Sequence, residues 1–120
     1  MNNKQIKNKK METNRLIAKF MGMTCHHNDS NVLIFSTENG NDIVSIYDLK
    51  YHSSWDWLMH AVDKIEGMTD SKGDAYRFNI DMCNVDIEGT DIQIIGEAYK
   101  IVAVYRAVVE FINLYNNQEI

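Results

Sequence analysis

The sequence predicts an α+β fold: a mostly antiparallel sheet of about four strands packed between or against three helices, an α-β-α sandwich. Three observations predict it. Three segments place apolar residues at helical spacing. Other segments are short and alternate apolar with polar residues. Turn residues, not long crossovers, join neighbouring strand segments.

Residues 1–12, MNNKQIKNKKME, are polar and basic and read as a flexible tail or the edge of a helix. A single α+β domain is expected over 13–117. Thr13 suits the N-cap of a first helix, in which Leu16, Ile17, Phe20 and Met21 form one stripe and Gly22 follows as a stop. MTCHHNDSN reads as a polar turn. VLIFS (32–36) and DIVSIYDL (42–49) then flank TENGN, where the Asn39-Gly40 pair signals a hairpin because both residues tolerate positive φ.

Ser53 can cap a second helix, with Asp56 reaching back as in a capping box. Trp55, Leu58, Val62 and Ile65 follow at helical spacing, and Glu66-Gly67 closes the element. In AYRFNIDMC (75–83), Tyr76, Phe78, Ile80 and Met82 face one way and Arg77, Asn79 and Asp81 the other, the period of a half-buried antiparallel strand. Val85 and Ile87 continue the alternation, Glu88–Asp91 turns the chain, and IQII (92–95) returns it. The last segment holds Ile101, Val104, Tyr105, Val108, Phe111, Ile112 and Tyr115 on a broad stripe. Its many β-branched residues lower helix propensity, so packing must hold this helix.

The chain of 120 residues is long enough for a core without covalent staples. Its net charge is −5, yet Lys4, Lys7, Lys9 and Lys10 all lie in the first ten residues, which leaves −9 on the remainder. An acidic body is a poor partner for phosphate backbones and a good one for a basic protein. Nucleic acid is therefore not the expected partner. The two cysteines, Cys25 and Cys83, match no paired motif, the lysine-rich start lacks the apolar core of a signal peptide, and no apolar run would span a membrane. A reducing cytoplasm is the expected setting.

Three blocks carry a family resemblance: NRLIAKFMG (14–22), LKYHSSWDWLMHAVDKIE (49–66) and AVYRAVVEFINLYN (103–116). Together they resemble the small phage and prophage proteins grouped as the phage ABA sandwich domain, and the middle block is the most specific of the three. The resemblance implies a sheet between helical layers and a bacteriophage or gut-prophage source, hence a host bacterial cytoplasm. Members of that family commonly follow the methionine with proline; this chain has His60, so its second helix keeps the backbone hydrogen bond a proline would delete. The family implies no chemistry, since architecture alone carries none.

The chemistry-bearing residues cluster in YHSSWDWLMHA (51–61). His52, Asp56 and His60 are spaced by four, and two imidazoles with a carboxylate would suit a metal ion or acid–base work. His26 and His27 beside Cys25 could add ligands. However, His52 precedes the expected cap, and metal motifs normally pair their ligands more tightly. A serine beside a histidine is not a triad, and neither a nucleophile elbow nor a phosphate-binding loop is present. No catalytic residue, metal or cofactor is assigned. Trp57 lies about 200° around the helix from Trp55, so one tryptophan is left over for a partner.

The leading expectation is a non-enzymatic phage accessory protein that acts by protein binding, in host takeover or counter-defence, with a homodimer as one form. Its candidate binding residues are His52, Trp57, Asp56, His60, His26 and His27. The alternative is a small-molecule or nucleotide-ligand binder with a pocket near His52, Trp57 and the loop at Cys25–His27. The second alternative is a metal-dependent or acid–base enzyme using His52, Asp56 and His60.

Overall fold

The structure, a computed structural model, describes residues 3–37, 40 and 42–120, with side chains from residue 9 onward in the first helix. It is α+β, with three helices and two three-stranded antiparallel sheets among the described residues. The described residues thus form six strands in two sheets where about four in one were expected. The chain divides into two compact units, Met1–Lys50 and Tyr51–Ile120, a boundary the sequence does not mark with a linker.

The first unit opens with helix α1, Asn3–Phe20, which runs through the segment read as a tail. Thr13 is therefore interior and not an N-cap; its hydroxyl donates back to the carbonyls of Lys9 and Lys10, both at 3.1 Å. The helix ends as expected at Gly22, whose φ is 87°. The amides of Gly22 and Met23 bond the carbonyls of Lys19 (3.0 Å) and Ala18 (3.1 Å), the Schellman pattern. Ile17 and Ala18 are buried, and so is Asn14, whose amide donates to the Leu49 carbonyl at 3.2 Å. That bond ties α1 to the chain beyond a single 3-10 turn, Ile46–Asp48.

The first sheet has the order β1 (Thr24–His27), β2 (Leu33–Ser36), β3 (Ile43–Ser45). Strand β1 lies in the segment read as a turn. Its side chains give no apolar alternation, and only its backbone pairing with β2, His27 opposite Leu33 and Thr24 opposite Ser36, makes it a strand. The turn that follows is built by Asn28, whose side-chain oxygen accepts from the amides of Ser30 (2.9 Å) and Val32 (3.0 Å). The hairpin between β2 and β3 forms as read, with Ser36 opposite Ile43. Gly40 has φ 72° there, while Asn39 lies outside the described residues. The run 42–49 is not one strand, since it leaves β3 after Ser45 for the 3-10 turn.

The second unit contains α2 (Trp55–Glu66), β4 (Arg77–Asp81), β5 (Asn84–Glu88), β6 (Gln93–Ile94) and α3 (Lys100–Asn116). Leu58, Ala61, Val62 and Ile65 bury one face of α2. Ala103, Val104, Ala107, Val108, Phe111 and Ile112 bury one face of α3 at i, i+1, i+4, i+5, i+8 and i+9. Both helices pack with the second sheet, α3 mainly on β5 and β6 and α2 on β4. The sheet meets them with Phe78, Val85, Ile87 and Ile94. Tyr76 meets Phe111 edge to face at 5.0 Å.

Two turns set the register of this sheet. Met82 and Cys83 form a two-residue hairpin loop between Asp81 and Asn84, so β4 ends before Met82 rather than at Cys83. Met82 has φ 56°, a conformation in which such loops usually place glycine, and it is 76% exposed. At the β5–β6 turn, the Thr90 hydroxyl donates to the Ile87 carbonyl at 2.8 Å and accepts from the Ile92 amide at 3.1 Å. Gly89 there has φ 91°, and a Cβ on it would stand 3.1 Å from the Tyr76 ring.

Gly89→Ala thus adds a left-handed backbone cost of about 1–2 kcal/mol to a displacement of Tyr76 from Phe111. The expected result is a loss of about 2–3 kcal/mol in chemical denaturation, with an unchanged slope against denaturant.

Candidate functional site

The residues singled out in 51–61 divide into packed and exposed sets. The helix cap is Ser54, not Ser53: its hydroxyl oxygen accepts from the Trp57 amide at 3.4 Å, and its φ and ψ are −121° and 121°. Asp56 therefore does not close a capping box. It is exposed in the first turn, where a carboxylate favours the positive end of the helix dipole. His60 is also exposed, while His52 is half-buried with its ring 6.5 Å from that of Tyr105. Tyr51 is buried, and Trp57 stands against it edge to face at 5.2 Å and 81°.

The roles of the tryptophans are thereby exchanged. Trp57 is half-buried against Tyr51, and Trp55, expected to pack inward, is 41% exposed at the first position of α2. His26 and His27 are exposed on strand β1 of the first unit. Among the described residues, no three or more His, Cys, Asp and Glu side chains are grouped so as to hold a metal ion. In particular, His52, Asp56 and His60 do not form such a group. Ser54 is engaged as a cap. The segment's order is that of a seated helix start, with Tyr51 as the seat.

A concavity lies elsewhere, on the second sheet. It is a groove of about 490 Å³ lined in part by Asn79, Asp81, Asn84, Asp86, Gln93 and Ile95. The register explains the set. Asn79 is opposite Asp86, Asp81 opposite Asn84, and Asp86 opposite Gln93, so these side chains share the face turned away from Phe78, Val85 and Ile94. The Asn79 amide donates to the Asp86 carboxylate at 3.1 Å. Asn84 accepts from the Gly96 amide at 3.2 Å through its side-chain oxygen. Both contacts hold the amide groups in fixed orientations beside two carboxylates. None of His52, Trp57, Cys25, His26 or His27 lines this groove.

Sequence reasoning placed Arg77, Asn79 and Asp81 on an outward face but did not single that face out. The missing signal was the hairpin at Met82–Cys83, which brings Asn84 and Asp86 beside them. Charge adds to the picture. Residues 51–120 carry twelve Asp and Glu against five Lys and Arg, a net −7, whereas residues 1–50 carry five against seven, a net +2.

The chain matches no family model, no curated protein and no solved structure.

Two measurements check the aromatic seat. Burial pushes the Tyr51 hydroxyl from 10.0 up to about 12. The folded state keeps a proton there that the unfolded chain releases near pH 10, so this stabilisation of the protonated fold is intact below that pH. Stability is lost as pH rises from about 10 to about 12, by about 2–3 kcal/mol. Tyr76 is shifted the same way, by burial and then by the Asp70 carboxylate, so Tyr51→Phe reduces the loss rather than abolishing it. In denaturation at neutral pH, Trp57→Ala costs about 2 kcal/mol and Trp55→Ala under about 1 kcal/mol. Equal costs would contradict the assignment of Trp57 as the packed ring.

Proposed function

We propose that this protein binds a basic protein partner through the outward face of its second sheet, and that it is a phage-type accessory protein of the ABA sandwich kind. The observation that supports this reading is the groove itself: oriented amides and the carboxylates of Asp81 and Asp86 on an exposed sheet face of a unit with net charge −7. Such a field attracts lysine and arginine side chains and repels phosphate, so the proposed partner is a protein and not a nucleic acid. The exposed carboxylates lack a nucleophile and a base to orient, which is why binding is preferred to catalysis.

The finer architecture and setting belong to the same proposal. Three helices and antiparallel strands suit a sheet layered between helices, as the resemblance in 14–22, 49–66 and 103–116 implies. Among the described residues no helix is long and apolar enough to cross a membrane. We place the action in the host bacterial cytoplasm, in host takeover or counter-defence. A homodimer is included, because Trp55 (41% exposed) and Tyr99 (70% exposed) offer rings that a second copy would cover.

Calorimetry with an oligolysine peptide tests the proposal. The Asp81→Asn/Asp86→Asn double variant is expected to bind about tenfold more weakly at about 50 mM salt. The difference shrinks at about 0.5 M salt, where exposed charges are screened. Equal binding by the two proteins at low salt, or none by either, would contradict the reading.

A further inference from the structure

The two-residue loop at Met82–Cys83 has a consequence for the backbone of β4. In a hairpin of that length the closing pair, here Asp81 and Asn84, exchanges both backbone hydrogen bonds. Parity then directs Asn79 and Arg77 toward β5, and turns the amides and carbonyls of Ile80, Phe78 and Tyr76 to the opposite edge. Two contacts agree with that parity. The Phe78 amide donates to the Glu66 carboxylate at 2.9 Å, and the Tyr76 amide donates to the Met68 carbonyl at 3.3 Å. On the other side, the Ile87 amide bonds the Ile92 carbonyl at 3.3 Å, toward β6.

The edge is thus closed at Tyr76 and Phe78 and open at Ile80, whose amide has no hydrogen-bond partner there among the described residues. Protein sheets usually blunt such edges. Here the unblunted portion is flanked by apolar surface, since Ile80 is 39% and Met82 76% exposed. Met82 is held at φ 56° in doing so. Carboxylates lie to either side, Glu66 on the Phe78 amide and Asp81 next in the strand.

We propose that β4 accepts an extended segment of the partner as a fourth strand of this sheet, paired at Ile80. This rests on the reading of a basic partner and adds its binding mode. A residue opposite Ile80 exchanges two backbone bonds with it and shares its face, so that position takes a β-branched apolar side chain. The neighbouring positions fall on the face of Asn79 and Asp81 and take lysine or arginine. The occupant is therefore a strand alternating basic and β-branched residues. A second copy of this chain is the poorer occupant, because two edges that each carry Glu66 and Asp81 repel.

The probe is a short capped peptide alternating lysine and valine, titrated into the full chain. One derivative is N-methylated at its valines, whose amides face β4 in the proposed pairing. Another is N-methylated at its lysines, whose amides face away. Methylated valines should weaken binding about tenfold or more, and methylated lysines should leave it within about threefold. Ile80→Pro should reproduce the first loss, since an edge position that donates nothing to the ladder tolerates proline. If that variant does not fold, the two peptides decide the matter with the unaltered protein. Equal affinities for the two derivatives overturn strand addition. The basic-partner reading survives that result if Asp81→Asn/Asp86→Asn still weakens binding, and falls with it if no peptide binds. A dimer in light scattering that Ile80→Pro disperses also overturns the proposal, by giving the edge to a second copy.

Discussion

The register of the β4–β5 hairpin is the constraint on which the rest of the second unit depends. Pairing Asp81 with Asn84 places Phe78, Val85, Ile87 and Ile94 on the face covered by α2 and α3. The same pairing leaves Asn79, Asp81, Asn84, Asp86 and Gln93 on the other face. A slip of one residue would exchange the faces, burying carboxylates under α3 and exposing the isoleucines. The cost of two or more buried, unpaired carboxylates far exceeds the strain of a methionine at positive φ. Core packing therefore dictates the hairpin, and Met82 tolerates its conformation as a result.

The groove follows from that division and needs no separate cause. Its carboxylates and amides are the wet half of an alternating strand pair, and the dry half is the core. What distinguishes it from an ordinary solvated face is order and sign. The Asn79–Asp86 and Asn84–Gly96 hydrogen bonds fix the polar groups, and residues 51–120 surround them with a negative field. The basic side chains of the chain are concentrated in residues 1–50, where α1 carries most of them.

Much of the helical architecture was legible in the sequence, because α2 and α3 keep unbroken apolar stripes and Gly22 marks the end of α1. Three misreadings share one cause, namely that backbone pairing and cap position override side-chain pattern over a few residues. TCHH is a strand only because β2 pairs with it. Thr13 looked like a cap because the basic residues before it looked like a tail. Moving the cap from Ser53 to Ser54 left Leu58, Ala61, Val62 and Ile65 inward, but it put Trp55 at the first position of the helix. Trp57 instead folds against Tyr51, which precedes the helix and is itself buried. The candidate site was the least legible part. Asp-Met-Cys-Asn carries none of the usual hairpin residues at its centre, so Asn84 and Asp86 could not be placed beside Asn79 and Asp81 before the fold was known. His52, Asp56 and His60 drew attention by their spacing of four, yet spacing on a helix brings side chains together only if all three lie within it, and His52 does not.

The central claim is that β4 has one edge bonded to β5, an opposite edge closed at Phe78, and a gap at Ile80. Residue-resolved amide hydrogen exchange along β4 measures this most directly. The account predicts slow exchange at Asn79 and Asp81 through β5, slow exchange at Phe78 through Glu66, and fast exchange at Ile80. Protection at Ile80 equal to that of its neighbours in the monomeric protein would contradict it.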